Sequence, residues 1–362
     1  MRSRFGPSLY FANDKVIFDS LNQHSVTTDL IRELLNERGI LVSSNTSKEK
    51  LAQYFSRLTA DFFDHKSIAS KLGKVAKRER ITYSELKGKI NQSDIINSLN
   101  ELKVELQEKD STIQIDVVDD RVIALITYQH IDYTKTDLRQ VEPRDAIIEF
   151  TRDGSSGYII RSTQNIDIDP LVEQVVSKLE ISAPEKLNRV RVSLEAFTDP
   201  KIRTAFFENL IESIKGYTFI DLTEAYCFKP KAKRFIVDED EESDLSTDVE
   251  KSPHVERVTL RGDRVNKSFL INDLYKEKYY IVKVVWHIRL KSKIDSDIYE
   301  LEAQFGRPDL CTGFSYQIKS VLMCDDGKIS GKKRSPKKEE MDIIYRLIEG
   351  AAIYECSKLA GL

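Results

Sequence analysis

The segments 297–305 (DIYELEAQF) and 314–324 (FSYQIKSVLMC) constrain this chain most, because polar and apolar residues alternate along them, and 223–230 (TEAYCFKP) and 284–291 (VVWHIRLK) read as further long strands upstream. Alternation with period two puts one set of side chains on each face of a strand, and strands of this kind need antiparallel partners. A helix carrying Met341, Ile343, Ile344, Leu347, Ile348, Ala351, Ala352 and Tyr354 follows, with an apolar surface broad enough to dock on such a sheet. Upstream, DAIIEF and GYIIRS read as strands around a turn at 151–157, and Pro170 opens a helix that runs to Leu179. The Gly-containing turn lacks the strand-to-helix position and the Lys-Ser/Thr ending of a phosphate-binding loop. At 362 residues the chain is long enough for two or three domains. The expected fold class is therefore α+β: helical N-terminal modules, then an antiparallel or mixed sheet with helices packed on it.

The body at 140–362 carries an internal strand-helix-strand repeat, over 190–230 and 256–292. The first copy holds Phe206, Phe207, Leu210 and Ile211 in its helix, and the second holds Phe269, Leu270 and Leu274. Two such units pack their strands into one sheet, since one alone leaves apolar surface uncovered. Chance similarity is the alternative, because these patterns recur in any α+β domain. Between the copies, residues 237–252 are rich in Asp and Glu without an apolar period, and read as an extended acidic linker.

Residues 25–72 read as helix, extended loop, helix. Leu30, Ile31, Leu34 and Leu35 recur at helical spacing behind Thr27 and Thr28, and Gly39 stands where the helix needs a left-handed stop. Ile40-Leu41-Val42 is a short extended run, and Thr46 to Glu49 has the pattern of a capping box. The second helix would bury Leu51, Tyr54, Phe55, Leu58 and Phe62. With Arg38-Gly39-Ile40 and Lys48-Glu49-Lys50-Leu51 in place, this module, 1–75, resembles the SAP and helix-extension-helix modules that bind DNA. The alternative is a plain helical hairpin with solvated lysines.

Next, Ile81 to Leu86 reads as a short helix, and Ile95, Ile96, Leu99, Leu102 and Leu106 as a longer one. IQIDVV and RVIALITY follow as a hairpin turning at Asp119-Asp120. Helix, helix, hairpin over 76–135 resembles a winged helix, a resemblance that implies a helix in the major groove. Its outward face presents Gln92, Ser93, Asn97, Asn100 and Lys103, but also Asp94, Glu101, Glu105 and Glu108. Phosphate affinity comes from Lys and Arg, so a structural or protein-binding role fits this module better than base reading.

Net charge is −3, so nucleic-acid binding would rest on local patches. The residues expected to contact DNA are Arg32, Arg38, Lys48, Lys50, Arg57, Lys71, Lys74, Lys77, Arg78 and Arg80. A second basic loop carries Lys332, Lys333, Arg334, Lys337 and Lys338.

Chemical motifs are sparse. The four cysteines have no metal-ligand spacing, the five histidines are scattered, and neither a G-x-S-x-G nor a P-loop run is present. No catalytic residue, metal or cofactor is expected. Strand carboxylates such as Glu149, Glu195, Glu300 and Glu302 would have to converge in the fold to hold magnesium. No apolar run approaches the roughly 20 residues of a membrane span, and the N-terminus has no secretion signal, which together read as a cytoplasmic protein that engages no membrane. The expected function is a DNA-binding or DNA-sensing subunit of an assembly, of the kind found in prokaryotic genome defence or DNA processing, with DNA held by the N-terminal modules and protein partners by the C-terminal body. The alternatives are a magnesium-dependent nuclease and a protein-interaction subunit without a nucleic-acid role.

Overall fold

Apolar residues three and four apart give the N-terminal part four short helices, α1 (Asp14–Leu21), α2 (Thr28–Glu37), α3 (Lys48–Ser56) and α4 (Phe62–Lys71). The computed structural model describes residues 12–24, 26–72, 79–107, 111–135, 137–154, 157–230, 255–265, 268–293, 295–325 and 328–361. The acidic run at 237–252, with Lys74, Lys77 and Arg78, lies outside the described residues. The described residues are α+β, with a large antiparallel sheet and nine α-helices. They fall into two units, one within Met1–Lys77, Asn91–Glu149 and Ile166–Ser182, the other within Arg78–Ile90, Phe150–Asn165 and Ala183–Leu362. None of the described helices is long and apolar enough to cross a membrane.

In the first unit the four helices close around Leu21, Ile31, Leu35, Leu51, Phe55 and Ile68. Thr27 caps α2 by accepting a hydrogen bond from Leu30 N, and Gly39 adopts φ +72°, the left-handed stop its position predicts. Two local expectations fail. The N-cap of α3 is Ser47 and makes no side-chain cap, whereas Asp61 and Asp64 form a capping box on α4. That box breaks the expected single helix in two, and Tyr54 turns outward. The rest of this unit is α5 (Gln92–Gln107), the hairpin β2 (Thr112–Val118) and β3 (Arg121–Ile131), the start of β4 (Val141–Arg152), and α6 (Asp169–Ser182). Asp119, at φ +51°, sits in the hairpin turn. Helix α5 buries Ile95, Leu99, Leu102 and Leu106 and packs on α6 and the hairpin.

Residues Ile81 to Leu86, expected to open a short helix, lie in strand β1 (Ile81–Lys87) of the second unit. Beta-branched and aromatic residues at 81–83 favour a pleated strand, and both edges of β1 find partners. The expected pair of helices therefore does not exist. Further along come β5 (Gly157–Thr163), β6 (Asn188–Arg191), α7 (Pro200–Glu212), β7 (Tyr217–Phe228), β8 (Arg257–Arg261), α8 (Phe269–Lys276), β9 (Tyr280–Leu290), β10 (Ile298–Arg307), β11 (Thr312–Asp325), β12 (Lys328–Arg334) and α9 (Lys338–Ala360). The strands run antiparallel in the order β5-β1-β11-β10-β9-β7-β8, with β6 on β1 and β12 on β11. Within the repeat, β6 pairs with β1 whereas β8 pairs with β7, so the two strand-helix-strand segments enter the sheet differently.

One face of this sheet is covered by α7 and α9. Trp286, Leu301, Ala303, Phe305, Phe314 and Tyr316 meet Phe206, Phe207, Ile344 and Ile348 there. Phe206, Phe207, Phe305 and Phe314 form an aromatic cluster with ring centroids 5.2–5.8 Å apart. Beside it, Arg161 and Glu349 form a buried two-pronged ion pair, with both N–O distances 2.6 Å, and Tyr316 donates its hydroxyl to the same carboxylate. That acceptor and the surrounding burial raise the Tyr316 phenol well above its ordinary value.

Candidate functional site

The opposite face of the second unit's sheet is built from charge. On β10, Glu302 stands across from Val285 of β9 and Gln317 of β11, while Gln304 stands across from Lys283. Leu301, Ala303, Trp286 and Ile318 point into the core, so alternation sends Glu300, Glu302, Lys283, His287 and Gln317 to the other side.

Glu302 is the centre of this arrangement and is only 3% exposed. Its Oε2 lies 2.9 Å from Lys283 Nζ and 4.0 Å from Lys319 Nζ. Its Oε1 accepts from Arg80 Nη1 at 3.1 Å and from Gln317 Nε2 at 3.0 Å. Burial alone would raise this carboxyl, but Lys283, Arg80 and Gln317 outweigh it and hold the group below the usual carboxylate range. Lys283 also sits 4.6 Å from the centroid of the Tyr226 ring, which favours a cation at that position. Polar atoms on this side of the sheet, among them Arg80 Nε, Ser315 Oγ and His287 Nε2, are buried without a hydrogen-bond partner.

A second carboxylate, Glu300, lies toward β12. His287 Nε2 at 3.9 Å, the Ser320 hydroxyl at 2.6 Å and Lys333 Nζ at 3.2 Å surround it. His287 first, then Ser320 and Lys333 working against burial, bring the Glu300 carboxyl down to about 2. A depressed carboxylate contributes stability above its unfolded value and loses it as pH falls through the folded one. From a starting value of 4.5, the loss from Glu300 is expected between about pH 5 and pH 2, on the order of 2–3 kcal/mol. Urea unfolding of wild type and Glu300→Gln over that range checks this. The variant should lose less stability on acidification, and parallel curves would contradict the assignment.

The basic residues singled out by sequence take several places. Arg32 bonds Asp29 at 3.0 Å and the Ser44 carbonyl. Arg38 pairs with Asp64 at 2.8 Å, donates to the Thr59 carbonyl at 3.0 Å and stacks over Phe55 at 4.5 Å. Lys48 donates to the Gln23 carbonyl, and Lys71 to Glu33 and Glu37. Arg38, Lys48 and Lys71 tie the helices of the first unit together, and Arg32 ties α2 to the loop that follows it. Lys50 and Arg57 are exposed. Of the expected basic loop, Lys328–Arg334 is strand β12, in which Arg334 pairs with Asp297 at 2.8 Å and with Glu340 at 2.6 Å. Lys332, Lys337 and Lys338 are exposed, the last two at the start of α9.

Of the expected residues, Arg80 reaches the Glu302 cluster and Lys333 reaches Glu300. Lys283, Gln317 and Lys319 belong to the cluster and were not anticipated. Their sequence signal is period-two spacing, Lys283-x-Val285-x-His287 and Gln317-x-Lys319, on strands whose other face is apolar. Of the strand carboxylates, Glu300 and Glu302 stand on this face, whereas Glu149 lies 3.5 Å from Arg121 and Glu195 is exposed beyond β6. Among the described residues, no group of three or more His, Cys, Asp or Glu is placed to hold a metal ion.

The family model described as CDK5 regulatory subunit-associated protein 3 matches residues 32–215, just over half of the chain. No curated protein sequence matches it. The match spans the SAP-like module from residue 32 onward and all of the winged-helix-like module, and it overturns both likenesses. With it falls the reading of a DNA-binding subunit in prokaryotic genome defence or DNA processing. The geometry agrees: β1 replaces the first winged-helix helix, and the cations Arg38, Lys48 and Lys71 hold helices together.

Proposed function

This chain belongs to the CDK5 regulatory subunit-associated protein 3 family, and on that premise we propose that it works by binding another protein, with no nucleic-acid role. The family's description names an association with a CDK5 regulatory subunit, and a protein of that kind is the partner proposed here. The match over 32–215 is the observation that carries the reading. The surface proposed for the partner is the charged face around Glu302, where long side chains are anchored on neighbouring strands and need little ordering on binding. Charged groups arranged on a rigid surface select partners and speed their encounter.

The test is calorimetry of the full chain with a purified CDK5 regulatory subunit. A Kd of about 1 μM or tighter is expected, since that corresponds to roughly 8 kcal/mol of binding free energy. Reversing two charges together, Lys283→Glu with Lys319→Glu, should weaken it at least tenfold. Absence of binding by the wild type would overturn the reading, and tight binding that survives the double reversal would remove this face from it.

A further inference from the structure

We infer that the cluster around Glu302 is a binding site for a phosphate group carried by a protein partner; the inference rests on the protein-binding reading of this face. Three cationic side chains, from β9, β11 and the residue just before β1, meet one carboxylate, and the nitrogen of each lies within 4.0 Å of it. One carboxylate balances one of them, so the group keeps a formal excess of two positive charges. Like charges held this close repel one another, and an anion placed over them relieves the repulsion. A phosphorylated side chain carries about −1.5 to −2 at pH 7 and three acceptor oxygens, which matches that excess, whereas a carboxylate supplies one charge.

The donors are also in place. Each lysine ammonium has three N–H groups; Lys283 lies 2.9 Å from Glu302 and uses part of that capacity, whereas Lys319, at 4.0 Å, uses none on it. Arg80 spends Nη1 on Glu302 while its side chain stays 36% exposed, so guanidinium N–H groups beyond Nη1 are left for an anion. Glu302 serves as the anchor: it is buried, held ionised by its neighbours, and fixes the positions of Lys283 and Arg80. Charge-assisted hydrogen bonds from such fixed donors are the strong ones in phosphate recognition.

The experiment uses the full chain and needs no partner. Inorganic phosphate is titrated at fixed ionic strength with chloride as the balancing ion, alongside a short peptide bearing phosphoserine and the same peptide bearing glutamate. Saturable binding of phosphate at one site is expected, with the phosphoserine peptide bound at least tenfold more tightly than the glutamate peptide. Lys283→Met and Lys319→Met should each weaken phosphate at least tenfold. Glu302→Gln removes the anchor that fixes Lys283 and Arg80, so phosphate should raise its Tm by less than it raises that of the wild type. That readout holds even where the variant is less stable. No saturable phosphate binding by the wild type, binding unchanged in both lysine variants, or equal affinity for the two peptides would each overturn the inference. These results are read on the chain alone, so they stand or fall separately from its binding to a regulatory subunit.

Discussion

Replacing Glu349 by alanine is expected to destabilise the second unit by about 3–5 kcal/mol, a large part of what holds an ordinary domain together. Arg161 on β5 and Glu349 on α9 are 5% and 3% exposed, and they bind each other through two N–O contacts of 2.6 Å. Removing the carboxylate takes the two-pronged acceptor from a guanidinium that lies away from water and the acceptor from the Tyr316 hydroxyl. Removing both charges together is a different experiment. Arg161→Met with Glu349→Leu keeps the volume without burying an unpaired ion, so it should cost much less than Glu349→Ala. Guanidinium unfolding of the three proteins decides the matter. A cost below about 1 kcal/mol for Glu349→Ala would show that the pair is not buried as described.

Phe206→Ala is expected to cost about 3–5 kcal/mol by a different route. Its ring is fully buried at the centre of the aromatic cluster, 5.2 Å from Phe207, 5.5 Å from Phe305 and 5.8 Å from Phe314. The substitution forfeits the transfer energy of the ring and leaves a cavity that strands β10 and β11 cannot collapse to fill. Ile343→Ala provides the comparison, since that side chain is 56% exposed on α9 and its loss should change stability by less than about 0.5 kcal/mol. Similar values for the two would mean that α7 does not pack on the sheet as described.

Much of the second unit was legible because its strands alternate strongly. In β9, β10 and β11, Trp286, Leu301, Ala303 and Ile318 mark one face and Lys283, Glu302 and Gln317 the other, and an antiparallel sheet follows from that pattern. Strand β1 was not legible, because Tyr83 and Leu86 stand three apart as on a helix face and its partners lie far along the chain. The helix-stop at Gly39 was local and could be read, whereas the break between α3 and α4 depends on a capping box at Asp61 that the apolar spacing of Leu58 and Phe62 concealed.

The site was harder for the same reason. Arg80 meets Glu302 across 222 residues of sequence, so a count of lysines and arginines cannot say which of them already have a partner. Arg38, Lys48 and Lys71 looked like a basic surface because their acceptors, Asp64, Gln23 and Glu33, were not known to be beside them. A short helical pattern shared by many helical pairs also carried the likeness to DNA-binding modules, and the match over 32–215 removed it.

The most direct measurement of the central claim is hydrogen exchange of the full chain with and without its proposed protein partner. Binding through the Glu302 face should slow exchange in β9, β10 and β11 around Lys283, Glu302 and Gln317, and leave α1 to α4 unchanged. Protection confined to those four helices, or absent from the three strands at saturating partner, would contradict it.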